Sequence, residues 1–180
     1  MTATPIRDAF CSYCGTKFSE PLVYPRKCTA CGQETWANPI PVAVALVPVG
    51  AGLLAIRRGI PPGVGKLALV GGFIEAHESW QAGCARELVE EANVAIDPAT
   101  LRELWVASSS PMPNRVLIFA VSEPVDALPP FQPNAETLER GVIFGPGGLD
   151  TDFAFSLHAE AVKRYFGTRG ITGHHAFEPR

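Results

Sequence analysis

Apolar residues in this chain fall mostly into short runs of the kind that form buried strands. The first run, PVAVALV at 41–47, contains no charged position, which is typical of a strand buried on both faces. Five further runs are predicted as strands, at 52–58, 67–70, 104–107, 116–121 and 141–144. A closing amphipathic helix is predicted over 157–166.

One stretch has helical rather than strand spacing, and it begins at about Ser79. Ser79 suits the N-cap, and apolar residues follow at helical intervals. On this helix Glu87 lies one turn from both Glu90 and Glu91, so three carboxylates crowd one patch. Like charges at this spacing destabilise a helix by roughly 0.2–0.5 kcal/mol per pair, and only Arg86 offers local relief. Crowded oxygen ligands suit Mg2+ or Mn2+, which would remove the repulsion.

The same region resembles the Nudix box, starting at Gly72 and reading GFIEAHESWQAGCARELVEEANV. The matching positions are Gly72, Glu78, Arg86, Glu87, Leu88, Glu90, Glu91 and Val94. The one departure inside the box is Asn93, where the family has Gly. Asn is the commonest non-Gly residue in the left-handed conformation that ends helices, so we expect Asn93 to end this one. The rival interpretation, a solvated acidic helix face, does not account for so long a match.

Four of the five cysteines form two CxxCG knuckles, at Cys11, Cys14, Cys28 and Cys31. Each knuckle lets two thiolates reach one metal ion, and the following Gly permits a tight turn. Two disulfides are the rival interpretation, but a reducing compartment and the duplicated spacing favour a structural zinc with four thiolate ligands. Cys84 stands apart on the predicted helix, where we expect a small buried residue rather than a ligand.

Composition limits the possible partners. The chain has 180 residues, is 47% hydrophobic and carries a net charge of −3, which argues against a general binder of phosphate backbones. No apolar run approaches the roughly 20 residues of a membrane span. The first ten residues lack the apolar core of a signal peptide. We therefore expect a cytoplasmic protein with no nucleic-acid or membrane partner, and we expect a homodimer.

The order of strands around the box helix resembles the Nudix α/β/α sandwich, an α/β fold with a mixed sheet. With the cysteine knuckles in front, the chain is similar to the zinc-ribbon Nudix hydrolases, the group around NADH and FAD pyrophosphatases. The junction WANP at 36–39 and the strand end Arg57-Arg58 look like that group. The predicted organisation is a zinc ribbon at 1–36, a Nudix domain at 37–167 and a flexible tail at 168–180.

The resemblance implies hydrolysis of a diphosphate linked to a nucleoside, assisted by Mg2+ or Mn2+. It implies that this cation is bound by Glu87, Glu90, Glu91 and the carbonyl of Gly71. Arg86 would then orient Glu78 and Glu90 rather than touch substrate. The general base stays open among Glu90, Glu136 and Glu139.

The substrate is less constrained by the sequence. The candidate substrate contacts are Arg57, Arg58, Ser110 and Trp36, and the aromatics that could stack on adenine or flavin are Trp36, Trp105 and Phe131. Residues 109–113 lie where NADH pyrophosphatases carry SQPWPFP, but the Gln, Trp and Phe are missing. FAD, NADH and ADP-ribose all remain candidate substrates. The alternatives are a non-catalytic nucleotide sensor, which would not need the crowded carboxylates, and decapping of dinucleotide-capped RNA, which the acidic balance disfavours.

Overall fold

The computed structural model describes residues 8–19, 23–109 and 115–180. The chain divides into two compact units, Met1–Pro39 and Ile40–Arg180, a division close to the boundary expected from the sequence. No helix in the described part of the chain is both long enough and apolar enough to cross a membrane.

The first unit is built around the two cysteine knuckles. Strands β1 (Arg26–Lys27) and β2 (Glu34–Thr35) pair antiparallel, and the second knuckle lies in the connection between them. Gly15 and Gly32 each donate a backbone N–H to the carbonyl of the first cysteine of their knuckle, at 2.9 Å. Both glycines have positive φ, 74° and 73°, a conformation that L side chains rarely adopt. The Gly that follows each knuckle is therefore what lets it close into a turn.

The second unit combines nine strands with three helices in its described residues, and the predicted elements are present with small shifts at their ends. Its strands are β3 (Ile40–Leu46), β4 (Pro48–Val49), β5 (Gly52–Arg58), β6 (Leu67–Ala68), β7 (Val70–Phe73), β8 (Arg102–Ser108), β9 (Arg115–Val121), β10 (Thr137–Phe144) and β11 (Ala176–Pro179). Its helices are α1 (Trp80–Ala92), α2 (Leu149–Asp152) and α3 (Ser156–Gly167), with a 3-10 turn at Pro98–Thr100.

These strands form two sheets. The first has the order β7-β3-β9-β8, in which β3 and β9 run parallel and the other pairs are antiparallel. The second is antiparallel, with the order β11-β10-β5-β4 and with β6 also pairing with β5. The mixed sheet of an α/β fold, predicted from the sequence, is confirmed.

The core lies on both faces of β3, because successive side chains of a strand point to opposite faces. Val44 and Leu46 belong to one buried cluster together with Phe166 of α3. Ala43 and Ala45 belong to the other cluster, which includes buried residues of α1. The two helices therefore cover opposite faces, as in an α/β/α sandwich. The small side chains on the α1 face let that helix pack close to the sheet, and α1 carries the box.

A buried histidine links α3 to the strand that leads into the box. The Leu69 N–H donates to Nδ1 of His158 at 3.2 Å, and the imidazole packs against Phe119 and Phe155. Burial lowers the pKa of His158 to about 3, so the ring is neutral at physiological pH and accepts this hydrogen bond. The backbone just before Gly71 is thereby fixed to α3.

The C-terminal segment, for which the sequence predicts a flexible tail, contains a short paired strand. Strand β11 pairs antiparallel with β10, from Gly141 opposite Pro179 to Phe144 opposite Ala176. His175 lies ahead of this strand, with Nδ1 2.6 Å from the Gly147 carbonyl. A segment of this composition has little strand signal of its own, and its pairing depends on the edge that β10 offers.

Candidate functional site

The box helix begins and ends where the sequence predicts. Ser79 is the N-cap, and its hydroxyl accepts from the Ala82 N–H at 3.1 Å. Asn93 has φ 53° and ψ 40°, the left-handed conformation, and its N–H donates to carbonyls of the last turn. Both predictions are confirmed. The Asn that departs from the family pattern ends the helix as Gly would.

Arg86 joins most of the carboxylates of the box. Its Nη2 donates to Glu78 Oε1 at 2.8 Å, and its Nη1 donates to Glu87 Oε1 at 2.9 Å and Glu90 Oε2 at 3.1 Å. A further bond from Nη2 to the Phe73 carbonyl, at 2.9 Å, ties the same guanidinium to the end of β7. The guanidinium therefore sets the positions of three carboxylates relative to the strand that leads into the helix.

Glu78 lies in the turn before the helix and is held on two sides. The hydrogen bond from Arg86 and one from the Glu75 N–H, at 2.7 Å, lower its pKa and keep it ionised. A Cβ at Gly83 would come within 2.7 Å of Glu78 Oε1. A larger residue at position 83 would therefore push the Glu78 carboxylate away from the position in which it meets Arg86.

Glu87 packs against the backbone of β7. Its carboxylate occupies the space that a side chain at Gly72 would fill, so any larger residue there would displace Glu87 from this position. Burial raises the pKa of Glu87, and the hydrogen bond from Arg86 opposes that shift. The first residue of the box is thus explained by the close approach of a carboxylate to the strand.

Glu91 is the most buried acid of the cluster, with 5% of its surface exposed. Its Oε2 accepts from the Gly71 N–H at 3.1 Å, which brings the Gly71 peptide and this carboxylate together. Burial raises the pKa of Glu91 to about 7, with the charges of Glu87 and Glu136 adding to the rise. A buried acid with one backbone donor and two acidic neighbours fits a divalent cation.

The remaining predicted residues fall into two groups. Glu136 lies close enough to Glu87 and Glu91 for its charge to raise the pKa of both. Glu139 instead pairs with Arg57 at 2.9 Å, and none of its contacts within the described ranges involves the acids of α1. The charge of Glu136 therefore acts on the carboxylate cluster, whereas the hydrogen bond and ion pair of Glu139 are made with Arg57.

Three predicted substrate contacts have different surroundings. Arg58 lies near enough to Glu91 for its positive charge to lower the pKa of Glu91. The guanidinium of Arg58 packs over Phe155 and donates to the Pro62 carbonyl at 2.9 Å. Trp36 belongs to the first unit, where it is 61% exposed. Ser110 lies outside the described residues.

The cysteines form a separate candidate metal centre in the first unit. The Sγ atoms of Cys11 and Cys31 are 3.7 Å apart, those of Cys14 and Cys28 are 3.6 Å apart, and all four lie within 4.8 Å of one another. They are free thiols, so the rival prediction of two disulfides is wrong. Hydrogen bonding with Thr16 lowers the pKa of Cys14 to about 6, whereas burial and the neighbouring thiols raise the pKa of Cys31 to about 12, so a cation is needed for all four sulfurs to ionise together. Cys84 is fully buried on α1, as expected.

Sequence reasoning missed the residues that hold the loop before β10 against α1. Asn134 Nδ2 donates to the Glu90 carbonyl at 3.1 Å, and Asn93 Nδ2 donates to the Pro130 carbonyl at 2.7 Å. Arg140, 2% exposed, donates to the Ala92 carbonyl at 2.7 Å. A charged residue next to the apolar run at 141–144 was the one signal that could have indicated a buried role for Arg140.

Comparison with known proteins agrees with this geometry. A crystal structure of a NUDIX hydrolase from Nitrosomonas europaea is 29% identical, covers 92% of this chain and 96% of that chain, and superposes with a TM-score of 0.69. A bifunctional NMN adenylyltransferase/ADP ribose pyrophosphatase from Francisella tularensis, complexed with AMP and a Mn ion, is 20% identical with a TM-score of 0.58 over 73% of this chain and 42% of that one. The NUDIX domain of Shewanella oneidensis NrtR, complexed with ADP ribose, is 16% identical with a TM-score of 0.61 over 74% and 90%.

The last two likenesses, at these identities, show the fold alone. The family model of the NUDIX domain matches residues 39–146, which include the whole box and the strands around it. Because this match spans more than half of the residues, the chain belongs to the NUDIX family, which confirms the prediction of a Nudix-type pyrophosphatase.

Proposed function

We propose that this protein is a divalent-metal-dependent hydrolase that cleaves the diphosphate bond of a dinucleotide or nucleoside-diphosphate derivative of the FAD, NADH or ADP-ribose type. The observation that carries the proposal is the pair Glu87 and Glu91. Both are withdrawn from water beside the Gly71-Gly72 backbone, and burial raises the pKa of each. Two acids in such surroundings gain most from a cation that keeps both ionised.

The residues that would hold Mg2+ or Mn2+ are Glu87 and Glu91, with Glu90 and the carbonyl of Gly71. When bound, the cation neutralises charge that develops on the phosphate and makes a bound water more acidic. Glu90 is the most exposed of the three acids, with 56% of its side chain open to solvent. It can therefore join a metal or exchange with water more easily than the other two.

The chain's own groups would position the reaction around that centre. Arg86 fixes Glu78, Glu87 and Glu90 through its guanidinium, and we assign it a positioning role. We assign the general base to Glu136, which would accept the proton of the water that attacks phosphorus. Its backbone N–H donates to Asn134 Oδ1 at 2.9 Å, which holds the start of β10 next to α1.

For the four cysteines we propose one structural zinc. Four sulfurs within 4.8 Å of one another match a closed tetrahedral site, which leaves no position for a substrate. The metal would stabilise a unit whose described strands are only two residues long each.

The test is a turnover screen of the full-length protein with FAD, NADH, ADP-ribose and dinucleotide-capped RNA, each with Mg2+ or Mn2+. Chromatography should detect a nucleoside monophosphate from at least one of the small molecules, and Glu91→Gln is the matched inactive control. Nucleotide binding without any turnover would contradict the proposal and favour a sensor. Light scattering on the same sample tests the expected homodimer.

A further inference from the structure

A cleft of about 390 Å3 opens beside the carboxylate cluster, between the end of α1 and the loop before β10. Its lining residues are Glu90, Asn93, Pro130, Phe131, Gln132 and Asn134. Volumes of roughly 300–1,000 Å3 are typical of small-molecule sites. Because Glu90 lines the cleft and also bonds to Arg86, the cleft adjoins the proposed reaction centre.

Hydrogen bonds fix the walls of this cleft. On one side Asn93 holds the Pro130 carbonyl, and on the other Asn134 holds the Glu90 carbonyl. The oxygen of Asn134 also accepts from the backbone N–H groups of Glu136 and Thr137, at 2.9 and 2.8 Å. A cleft held in this way exists before a ligand arrives, so binding costs little ordering of the loop.

Arg140 supports the same walls from below. Its buried guanidinium donates to the carbonyls of Ala92 and Pro129, the first on α1 and the second on the loop. The guanidinium also packs over the ring of Phe131, 5.1 Å from the centroid. The ring that lines the cleft is therefore held in place by a residue that takes no part in lining it.

The hydrogen bonds leave one amide side chain of the cleft available. Asn93 and Asn134 already use their amide groups to hold the walls, whereas Gln132 is exposed and forms no hydrogen bond with the described residues. An aromatic ring beside a free amide suits a nucleobase, because the ring stacks on the base and the amide pairs with donors and acceptors at its edge.

We propose that this cleft binds the planar base of the nucleotide substrate, with Phe131 as the stacking surface and Gln132 as the group that contacts the base edge. The assignment rests on the proposed function, in which Glu87 and Glu91 would hold the cation that neutralises the diphosphate. It also gives a role to the one departure from the family pattern. Asn93 has a side chain where the family has Gly, and that side chain fixes Pro130, the residue before Phe131.

The experiment compares the binding of AMP and of ribose 5-phosphate to the full-length protein by calorimetry with Mg2+. Neither ligand contains a diphosphate bond, so turnover does not interfere. Wild type should bind AMP roughly tenfold or more tightly than ribose 5-phosphate, a difference that reports the base alone. Phe131→Ala and Phe131→Leu should both remove this preference, and the Leu variant keeps most of the apolar packing.

Two further variants sharpen the result. Gln132→Ala should weaken AMP about three- to tenfold and purine riboside 5′-monophosphate by a smaller factor, because that ligand lacks the amino donor but keeps the ring-nitrogen acceptors. Val106→Ala is the matched control, because Val106 is an exposed apolar residue on β8 outside the cleft, and it should leave both affinities unchanged.

An unchanged ratio of AMP to ribose 5-phosphate affinity in Phe131→Ala would overturn the assignment, as would a wild type that binds neither ligand. Such a result together with intact dinucleotide hydrolysis would leave the proposed function standing. The reverse result, a base preference that depends on Phe131 in a protein without turnover, would support the cleft and contradict the hydrolase.

Discussion

The two candidate metal centres of this chain are organised in opposite ways. In the first unit, four sulfurs lie within 4.8 Å of one another, supplied by two short turns. In the second unit, the acids of α1 are held by separate partners, Glu91 by the Gly71 N–H and Glu87 and Glu90 by Arg86. Among the described residues, the cysteines are the one set of metal-ligating groups that converges in this way.

The difference corresponds to two kinds of metal chemistry. A structural site needs all of its ligands at once and no open position, so tight turns that place every thiolate are sufficient. A hydrolytic site has to keep room for water and phosphate, so its carboxylates are spread and are balanced by a positioned cation. Arg86 supplies that balance in the second unit.

The largest effect on either metal centre should come from the loss of one cysteine of the first unit. Cys28→Ser should reduce zinc from one per chain to none, because a closed site lacks a spare ligand. Structural zinc contributes roughly 10–16 kcal/mol in small domains, so the first unit should unfold and become sensitive to protease. Metal analysis and limited proteolysis measure the two effects. Cys84→Ala is the control that should retain zinc, and a wild type without zinc would refute the comparison.

Neutralising one carboxylate in the second unit should abolish activity without unfolding. Glu91→Gln keeps the shape and can still accept from Gly71, but it loses the charge that a cation needs, so hydrolysis should fall by more than about a hundredfold. We expect the same of Glu90→Gln. Steady-state kinetics at saturating Mg2+ measure the loss, with Glu103→Gln on β8 as an exposed acidic control. Wild-type turnover in either variant would remove that residue from the metal site.

The general base can be tested with a matched pair of acids. Glu136→Gln should lower kcat by roughly 10²–10⁴, the usual contribution of a positioned base. Glu139→Gln should remove only the partly exposed ion pair with Arg57, worth about 0–1 kcal/mol, and should leave kcat nearly unchanged. Rate profiles against pH for both variants distinguish them. The opposite ranking would assign the base to Glu139.

Without metal, the buried acid should make stability depend on pH. The pKa of Glu91 is raised from 4.5 to about 7 by burial, so the unfolded state releases the proton first as the pH rises. Glu91 therefore contributes up to about 3 kcal/mol to the free energy of unfolding. This contribution is fully present below about pH 4.5 and is lost as the pH rises through about 7. Urea unfolding in chelator should show this decline, and Glu91→Gln should flatten it. A curve of unchanged slope in the variant would contradict the assignment.

The smallest effects should come from the end of the helix. Asn93→Gly keeps the left-handed conformation but loses the bond to Pro130 and gains freedom in the unfolded chain, a change of about 1 kcal/mol. Asn93→Val should cost about 1–3 kcal/mol, since a β-branched residue resists positive φ. Thermal melting ranks the two variants. Equal melting temperatures would show that the conformation of residue 93 contributes nothing to stability.

Local signals made much of the site predictable. The Ser79 cap and the Asn93 terminus each depend on residues within one turn, so the sequence alone indicates them. The crowding of Glu87, Glu90 and Glu91 follows from helical spacing in the same way.

Contacts between distant residues could not be predicted. Arg86 reaches Phe73 because α1 packs against β7. Arg140 meets Ala92 and Arg180 across 48 and 40 residues. Strand β11 pairs only because β10 offers a free edge, which no composition at 176–179 reveals. The wall of the cleft proposed to bind the nucleobase also depends on a contact between residues distant in sequence, the bond from Asn134 to the Glu90 carbonyl. Asn134 lies in a Pro-rich loop, where no sequence pattern distinguishes it.

The parallel ladder between β3 and β9 has a consequence for biosynthesis. Ile40 pairs with Arg115 and Leu46 with Val121, so the entire box lies within the loop that this ladder closes. Translation must reach residue 121 before the ladder is complete, and pairings so distant in sequence form slowly. Until then β3, with five consecutive buried residues at its end, keeps one edge open to other nascent chains. The time during which this edge is open to other chains should therefore depend on how soon β9 is synthesised and paired, which comes after the whole box has been translated.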